Sequence, residues 1–145
     1  MSDAPSLTAV LVALGRAVRA RQGTMLQSHG LHPGQDALLL EVWREPGLNQ
    51  ATLALRLGIE SPTVTRMVMR LERVGLLERR RDADDARCMR IHPTARSRLL
   101  EASVKTIWEE VGALVARGIG EDDADRLTAL AVAATAALRH PDTAR

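Results

Sequence analysis

The chain has 145 residues, 46% of them hydrophobic and 26% charged, which fits one globular domain or one protomer of a small assembly and excludes a disordered tail. Cys88 is the only thiol, excluding an intrachain disulfide and any CxxC zinc site, and no run reaches the roughly 18 apolar residues of a membrane span. The net charge of +2 comes from nineteen arginines and one lysine against eighteen acids, with no Phe or Tyr, which argues against folds that stack single-stranded bases on aromatic platforms.

Taken in order, Leu7, Val10, Leu11, Leu14, Val18, Met25 and Leu26 recur at helical spacing, predicting a first helix over residues 6–29 with Gly30 as its left-handed stop. His32 and Pro33 read as the cap and first-turn proline of a second, mostly buried helix through Trp43, ended by Pro46 and Gly47. Asn49 is the expected N-cap of a third helix, Gln50 to Leu57, stopped at Gly58; Ser61 followed by Pro62 caps a fourth that runs to Gly75. Two short helices joined by a glycine-containing turn, after another helix, are the organisation of a helix-turn-helix unit. Two alternating runs around the polar tip Asp82 to Ala86 predict a hairpin, its far strand starting at Arg87. Thr94 caps a long helix ending near Gly118, and the acids Glu121, Asp122 and Asp123 open a last one, ended by Pro141.

The small net charge conceals a division. Residues 56–98 hold eleven arginines and six acids, a net charge of +5, whereas residues 1–55 are neutral and residues 99–145 carry −3. A basic block is an electrostatic footprint for phosphate, or else a solvated face. On the fourth helix, Val64, Met67, Val68 and Leu71 share a core-facing stripe. Pro62, Thr65, Arg66, Met69, Arg70 and Arg73 fall on the other side. A helix entering the major groove can use Arg66 or Arg70 to grip guanine, while Thr63, Thr65 or Met69 touches a thymine methyl. The bland alternative pairs these arginines with Glu72 and Glu78. The hairpin, with Arg79, Arg80 and Arg81 at its base and Arg87 opposite, can reach a minor groove. Asp85 stands where it can orient Arg87. A metal site at Asp82, Asp84 and Asp85 is disfavoured because an EF-hand loop needs Gly and Glu where Arg87 and Pro93 stand.

The strings Leu31-His32-Pro33-Gly34-Gln35, Leu53-Ala54-Leu55-Arg56-Leu57-Gly58, Ser61-Pro62-Thr63-Val64-Thr65-Arg66, Leu71-Glu72-Arg73-Val74-Gly75-Leu76-Leu77-Glu78-Arg79 and Asp82-Ala83-Asp84-Asp85-Ala86-Arg87 resemble, in order and almost without gaps, the MarR family of winged helix-turn-helix transcriptional regulators. The resemblance implies a mainly α fold with a small β-hairpin wing. It also implies a homodimer, a recognition helix from Ser61 to Val74 and a wing from Arg79 to His92. Gene repression would then last until a small molecule or oxidant intervenes. In that family the arginine matching Arg87 enters the minor groove, held by the aspartate matching Asp85. The chain departs from the family pattern at Met69, Pro93 and Ser97.

The expected organisation is therefore a winged helix-turn-helix part at 31–94 and a helical dimerisation part at 1–30 and 95–145. The outer helices carry apolar stripes too long for one small helical unit to cover. Leu7, Leu11, Leu127, Leu130 and Leu138 are assigned to a two-fold interface, rather than to an intramolecular cap. Two recognition helices about 34–36 Å apart would read a pseudo-palindromic operator in double-stranded DNA. Met25, His29, Trp43 and Trp108 are candidates to line a pocket for a small aromatic or phenolic ligand, although Trp and Met at helical spacing more often pack a core. Cys88 reads as a small strand residue. No phosphate loop, nucleophile elbow or paired histidines support an enzyme, a cofactor or a metal. The remaining alternative is a winged-helix module that binds a protein partner through Met69 and the wing. A cytoplasmic repressor of transcription, with no membrane partner, is the expected whole.

Overall fold

Local signals place most element boundaries. The computed structural model describes residues 4–139, which hold helices α1 (Leu7–Leu26), α2 (Gln35–Arg44), α3 (Gln50–Leu57) and α4 (Ser61–Arg73), strands β1 (Leu77–Arg81) and β2 (Met89–Pro93), and helices α5 (Ala95–Arg98), α6 (Glu101–Ile119) and α7 (Glu121–Arg139). The expected fold class is the observed one, helical with a single hairpin. Two compact units divide after Ile107, so α1 belongs to the same unit as the helix-turn-helix.

Ser6 caps α1 through the Ala9 amide, and a 3₁₀ turn at Gln27–His29 leads to Gly30 in the left-handed conformation. The second helix starts at Gln35, not at His32 and Pro33. Its start is set by side chains that reach back: Gln35 Oε1 accepts from the His32 amide at 2.9 Å and Asp36 Oδ1 from the Gly34 amide at 2.9 Å. Asn49 caps α3 by accepting from the Thr52 amide at 2.8 Å. Gly58, at φ 65°, closes that helix with its amide on Ala54 and Leu55 carbonyls; a side chain at this φ would be strained.

Ser61 is not the cap of α4. Glu60 holds that position, its carbonyl taking the Thr63 and Val64 amides at 3.0 and 3.2 Å, and Pro62 sits in the first turn, where its missing N–H costs nothing. The helix ends at Arg73, with Gly75 beyond it at φ 73°. Val64, Val68 and Leu71 are fully buried and Met67 packs beside them. They join Leu26, Leu38, Leu39, Val42, Leu53, Ile91 and Val104 in one core, each side chain stabilising the fold by about 1.5–3 kcal/mol.

The strands pair antiparallel, from Leu77 opposite Pro93 to Arg81 opposite Met89. Arg87 lies outside the second strand, in the connecting loop. A third segment joins the sheet, since Ile91 donates to the Leu48 carbonyl and Gly47 to the Ile91 carbonyl, both at 2.8 Å. Gly47 has φ 91°, and a Cβ there would lie 3.3 Å from the His92 ring. Burial, then the nearby Arg80 charge, holds the His92 pKa below its ordinary 6.5, against a weaker opposing pull from Glu78.

Thr94 caps only α5, and the expected long helix is interrupted at Leu99 and Leu100. The Leu99 and Leu100 amides bond three residues back, to Arg96 and Ser97 carbonyls, tightening the turn before α6 begins. Trp43 ties α5 to α2: its indole N–H donates to Ser97 Oγ at 3.1 Å, and that hydroxyl donates to the Thr94 carbonyl at 3.0 Å.

The second unit holds the end of α6 and all of α7, joined at Gly120 with φ 94°. The acids expected in the first turn of α7 are there. Pro141 lies outside the described residues. Of the assigned interface leucines, Leu7, Leu130 and Leu138 are 75%, 68% and 81% exposed, Leu11 is exposed, and Leu127 is half-buried.

Ser97 is fully buried. Replacing it with Ala orphans the Trp43 indole N–H, and urea unfolding is expected to show a loss of about 1–3 kcal/mol. His92 gives a signed pH dependence. Its folded-state pKa lies below 6.5, so the unfolded chain takes up the proton first as pH falls; its contribution to stability is whole above the ordinary histidine value and is lost as pH falls through the lower folded-state one. Urea midpoints measured between about pH 5 and 8 should fall on acidification, and His92→Gln should flatten that part of the curve.

Candidate functional site

The burial of one α4 stripe dictates what the opposite side presents. Arg66, Arg70 and Arg73 follow at spacings of four and three, and so share a face about 10 Å long, with Met69 beside them. All four are exposed, Met69 by 46%. Arg66 donates to Thr63 Oγ1 at 3.4 Å. Among the described residues no carboxylate pairs with Arg66, Arg70 or Arg73. The acids that would have neutralised them are engaged elsewhere: Glu72 with Arg79 at 2.8 Å, and Glu78 with Arg80.

The hydroxyl of Thr65 does not face outward with the arginines. It donates toward Gln50 Oε1 and the Ser61 carbonyl, both at 3.0 Å, which joins the first turns of α3 and α4. Thr63 is half-buried, and Ser61 is exposed at the start of the helix.

The wing loop is organised by carboxylates that accept backbone amides. Asp82 Oδ1 takes the Asp84 and Asp85 amides at 2.8 and 3.1 Å, and Oδ2 takes Arg90 Nε. These contacts, the Asp84 amide first and then Arg90, hold the Asp82 pKa below the usual carboxylate value. Asp85 Oδ1 accepts the backbone amide of Arg87 at 3.0 Å. The orienting role expected of Asp85 is thus exerted on the main chain and not on the guanidinium. Arg80 is tied to Glu78 and Arg81 reaches the Ala86 carbonyl at 3.5 Å. Arg87 is exposed, and its side chain makes no hydrogen bond or ion pair among the described residues.

Between the start of α3, α4 and the wing lies a cleft of about 510 Å³, lined by Asn49, Gln50, Thr65, Arg79, Arg87 and Cys88 among others. Sequence reasoning passed over Gln50 and Asn49 as site residues. Their signal was their place at the N-terminus of the first helix of the helix-turn-helix. Cys88, taken as a strand residue, is a half-buried loop residue on the cleft wall.

The four candidate pocket residues differ in surroundings. Trp43 is 4% exposed, inside the core, with its N–H satisfied by Ser97. Met25 packs against the same core, His29 is half-buried in the 3₁₀ turn, and Trp108, in the second unit, is 41% exposed. A depression of about 480 Å³ in the first unit is lined by Arg19, Thr24, Gln27, His32 and Pro33 with four neighbours, none of them these candidates. No described helix is long and apolar enough to cross a membrane.

The sequence profile of the MarR family matches residues 31–89. The HTH-type transcriptional regulator TtmR of Methylorubrum extorquens (strain PA1) is 33% identical over 109 residues, which is 75% of this chain and 54% of TtmR; the chain thus spans about half the length of that relative. Among solved structures, a MarR transcriptional regulator from Methanosarcina mazei Go1 is 26% identical with a TM-score of 0.82, over 92% of this chain and 96% of that one. The transcriptional repressor CouR, solved on a 23-mer DNA duplex, is 26% identical with a TM-score of 0.83, over 90% and 92%. The matched span begins at Leu31 before α2 and closes at Met89 on the wing, so it contains every arginine of the exposed α4 face together with Arg87. Residues 31–89 of the chain are a MarR-family domain.

Proposed function

We propose that this chain is a homodimeric regulator of transcription that binds a pseudo-palindromic operator in double-stranded DNA, with α4 in the major groove and Arg87 in the adjacent minor groove. The observation that carries this reading is the row Arg66, Arg70 and Arg73, exposed and without carboxylate partners among the described residues, next to a loop that presents Arg87. Guanidinium groups left unneutralised on a helix of groove-fitting width match phosphate and the O6 and N7 edge of guanine. The likeness to CouR, a repressor solved on DNA, supports the same partner.

Dimerisation is supported by the exposed leucines. Leu7 and Leu11 on α1, and Leu130 and Leu138 on α7, leave apolar surface in water that a second copy would cover. Repression relieved by a small aromatic or phenolic acid is carried by the family resemblance.

Selection from a pool of random duplexes tests the DNA reading. An enriched palindrome supports it; absence of enrichment overturns it and favours a protein partner. Against the enriched duplex, Arg66→Ala or Arg70→Ala should cost about 1–3 kcal/mol and relax the base choice at one position of each half-site. Arg87→Ala should weaken binding more uniformly. Affinity should fall with salt, with a slope near −0.9 for each phosphate neutralised. Sedimentation should show a dimer at micromolar concentrations, shifted toward monomer by Leu130→Glu.

A further inference from the structure

The wing raises a problem that the proposed function does not solve. Residues 83–87 are all exposed, and a two-stranded hairpin is marginal in water by itself, so apolar packing does not set where Arg87 is held. The cross-strand partner of Arg80 is Arg90, and like charges directly opposite are unfavourable. Each is drawn off by a different acid, Arg80 by Glu78 and Arg90 by Asp82.

The second of these pairs leads in two directions. Arg90 Nη1 also donates to the Gly47 carbonyl at 3.4 Å, and Gly47 is itself bonded through its amide to the Ile91 carbonyl at 2.8 Å. On the other side, the Asp82 carboxylate that holds Arg90 also holds the Asp84 and Asp85 amides, and Asp85 holds the Arg87 amide. A continuous polar chain thus runs from the connection between α2 and α3, through Arg90 and Asp82, to the backbone of Arg87. The Asp82 side chain is 13% exposed and that of Arg90 39%.

We infer that Arg90 is a positioning residue, which with Asp82 latches the wing loop to the α2–α3 connection and sets where Arg87 meets DNA. This rests on the DNA-binding reading above. It also accounts for acids on a DNA-facing loop, which would otherwise only repel phosphate.

The probe is the duplex enriched from the random pool by the unaltered chain. Asp82→Asn removes one negative charge, so electrostatics alone would tighten binding. The latch requires the opposite, a loss of about fivefold or more. Unchanged or tighter binding overturns the proposal. Arg90→Leu should cost about tenfold in the unaltered chain and less than about twofold when Arg87→Ala is already present, because the latch acts through Arg87. Equal losses in both backgrounds would reduce Arg90 to one more positive charge, and so would full recovery with Arg90→Lys, whose single ammonium cannot hold Asp82 and the Gly47 carbonyl as a guanidinium fork does.

Amide exchange separates this inference from the reading it rests on. In Asp82→Asn and Arg90→Leu the Asp84, Asp85 and Arg87 amides should exchange faster while Val64, Val68 and Leu71 stay protected. Unaltered exchange at the loop overturns the latch even if no duplex is ever enriched, whereas failed enrichment with faster loop exchange overturns the DNA reading alone.

Discussion

Everything exposed on α4 follows from what is buried on it. Val64, Val68 and Leu71 have no solvent exposure, and their docking against α3 and the core fixes the rotation of the helix about its axis. With that rotation set, Arg66, Arg70 and Arg73 have nowhere to go but outward. A slip of one residue would turn the helix by about 100°, sinking a guanidinium into the core and lifting a valine into water. The apolar stripe therefore sets the exposed basic face as firmly as the arginines themselves do. The Thr65 to Gln50 contact adds a polar link between α4 and α3.

The wing obeys a different economy. Ile91 anchors β2 in the core, and the Leu48 segment extends the sheet on one edge, but beyond Arg81 the loop has almost no apolar content. Its order comes from the Asp82 and Asp85 carboxylates, which accept main-chain amides, and from the Asp82 and Cys88 amides, which donate to the Cys88 and Asp85 carbonyls at 2.9 Å. Distributing the arginines among partners also sorts them by role. Arg79, Arg80 and Arg90 are held by acids, Arg81 by a carbonyl, and Arg87 is presented to solvent.

The elements most legible in the sequence were those decided within four residues. Asn49 and Gly58 bracket α3 as read, and Gly30 ends the first helical segment, because caps and left-handed stops depend on local chain geometry alone. Boundaries that depend on distant partners were missed. The interruption at Leu99 and Leu100 goes with Trp43, more than fifty residues away, fastening α5 to α2, and the Leu48 to Ile91 bridge is equally non-local. The start of α2 was misplaced because His32 and Pro33 resemble a cap, whereas the acceptors came from Gln35 and Asp36. For the site, residue type identified the arginines, and helical projection identified their face. Which of them keep free guanidinium groups was not legible, since Glu72 and Glu78 could have paired in either direction. Trp43, read as a pocket candidate, illustrates the same limit: an aromatic at helical spacing does not reveal which wall it belongs to.

The outward face of α4 and the whole of the wing contain no lysine; Lys105 on α6 is the only one in the chain. Acylation, which silences basic surfaces by neutralising amines, finds no amine side chain on that face.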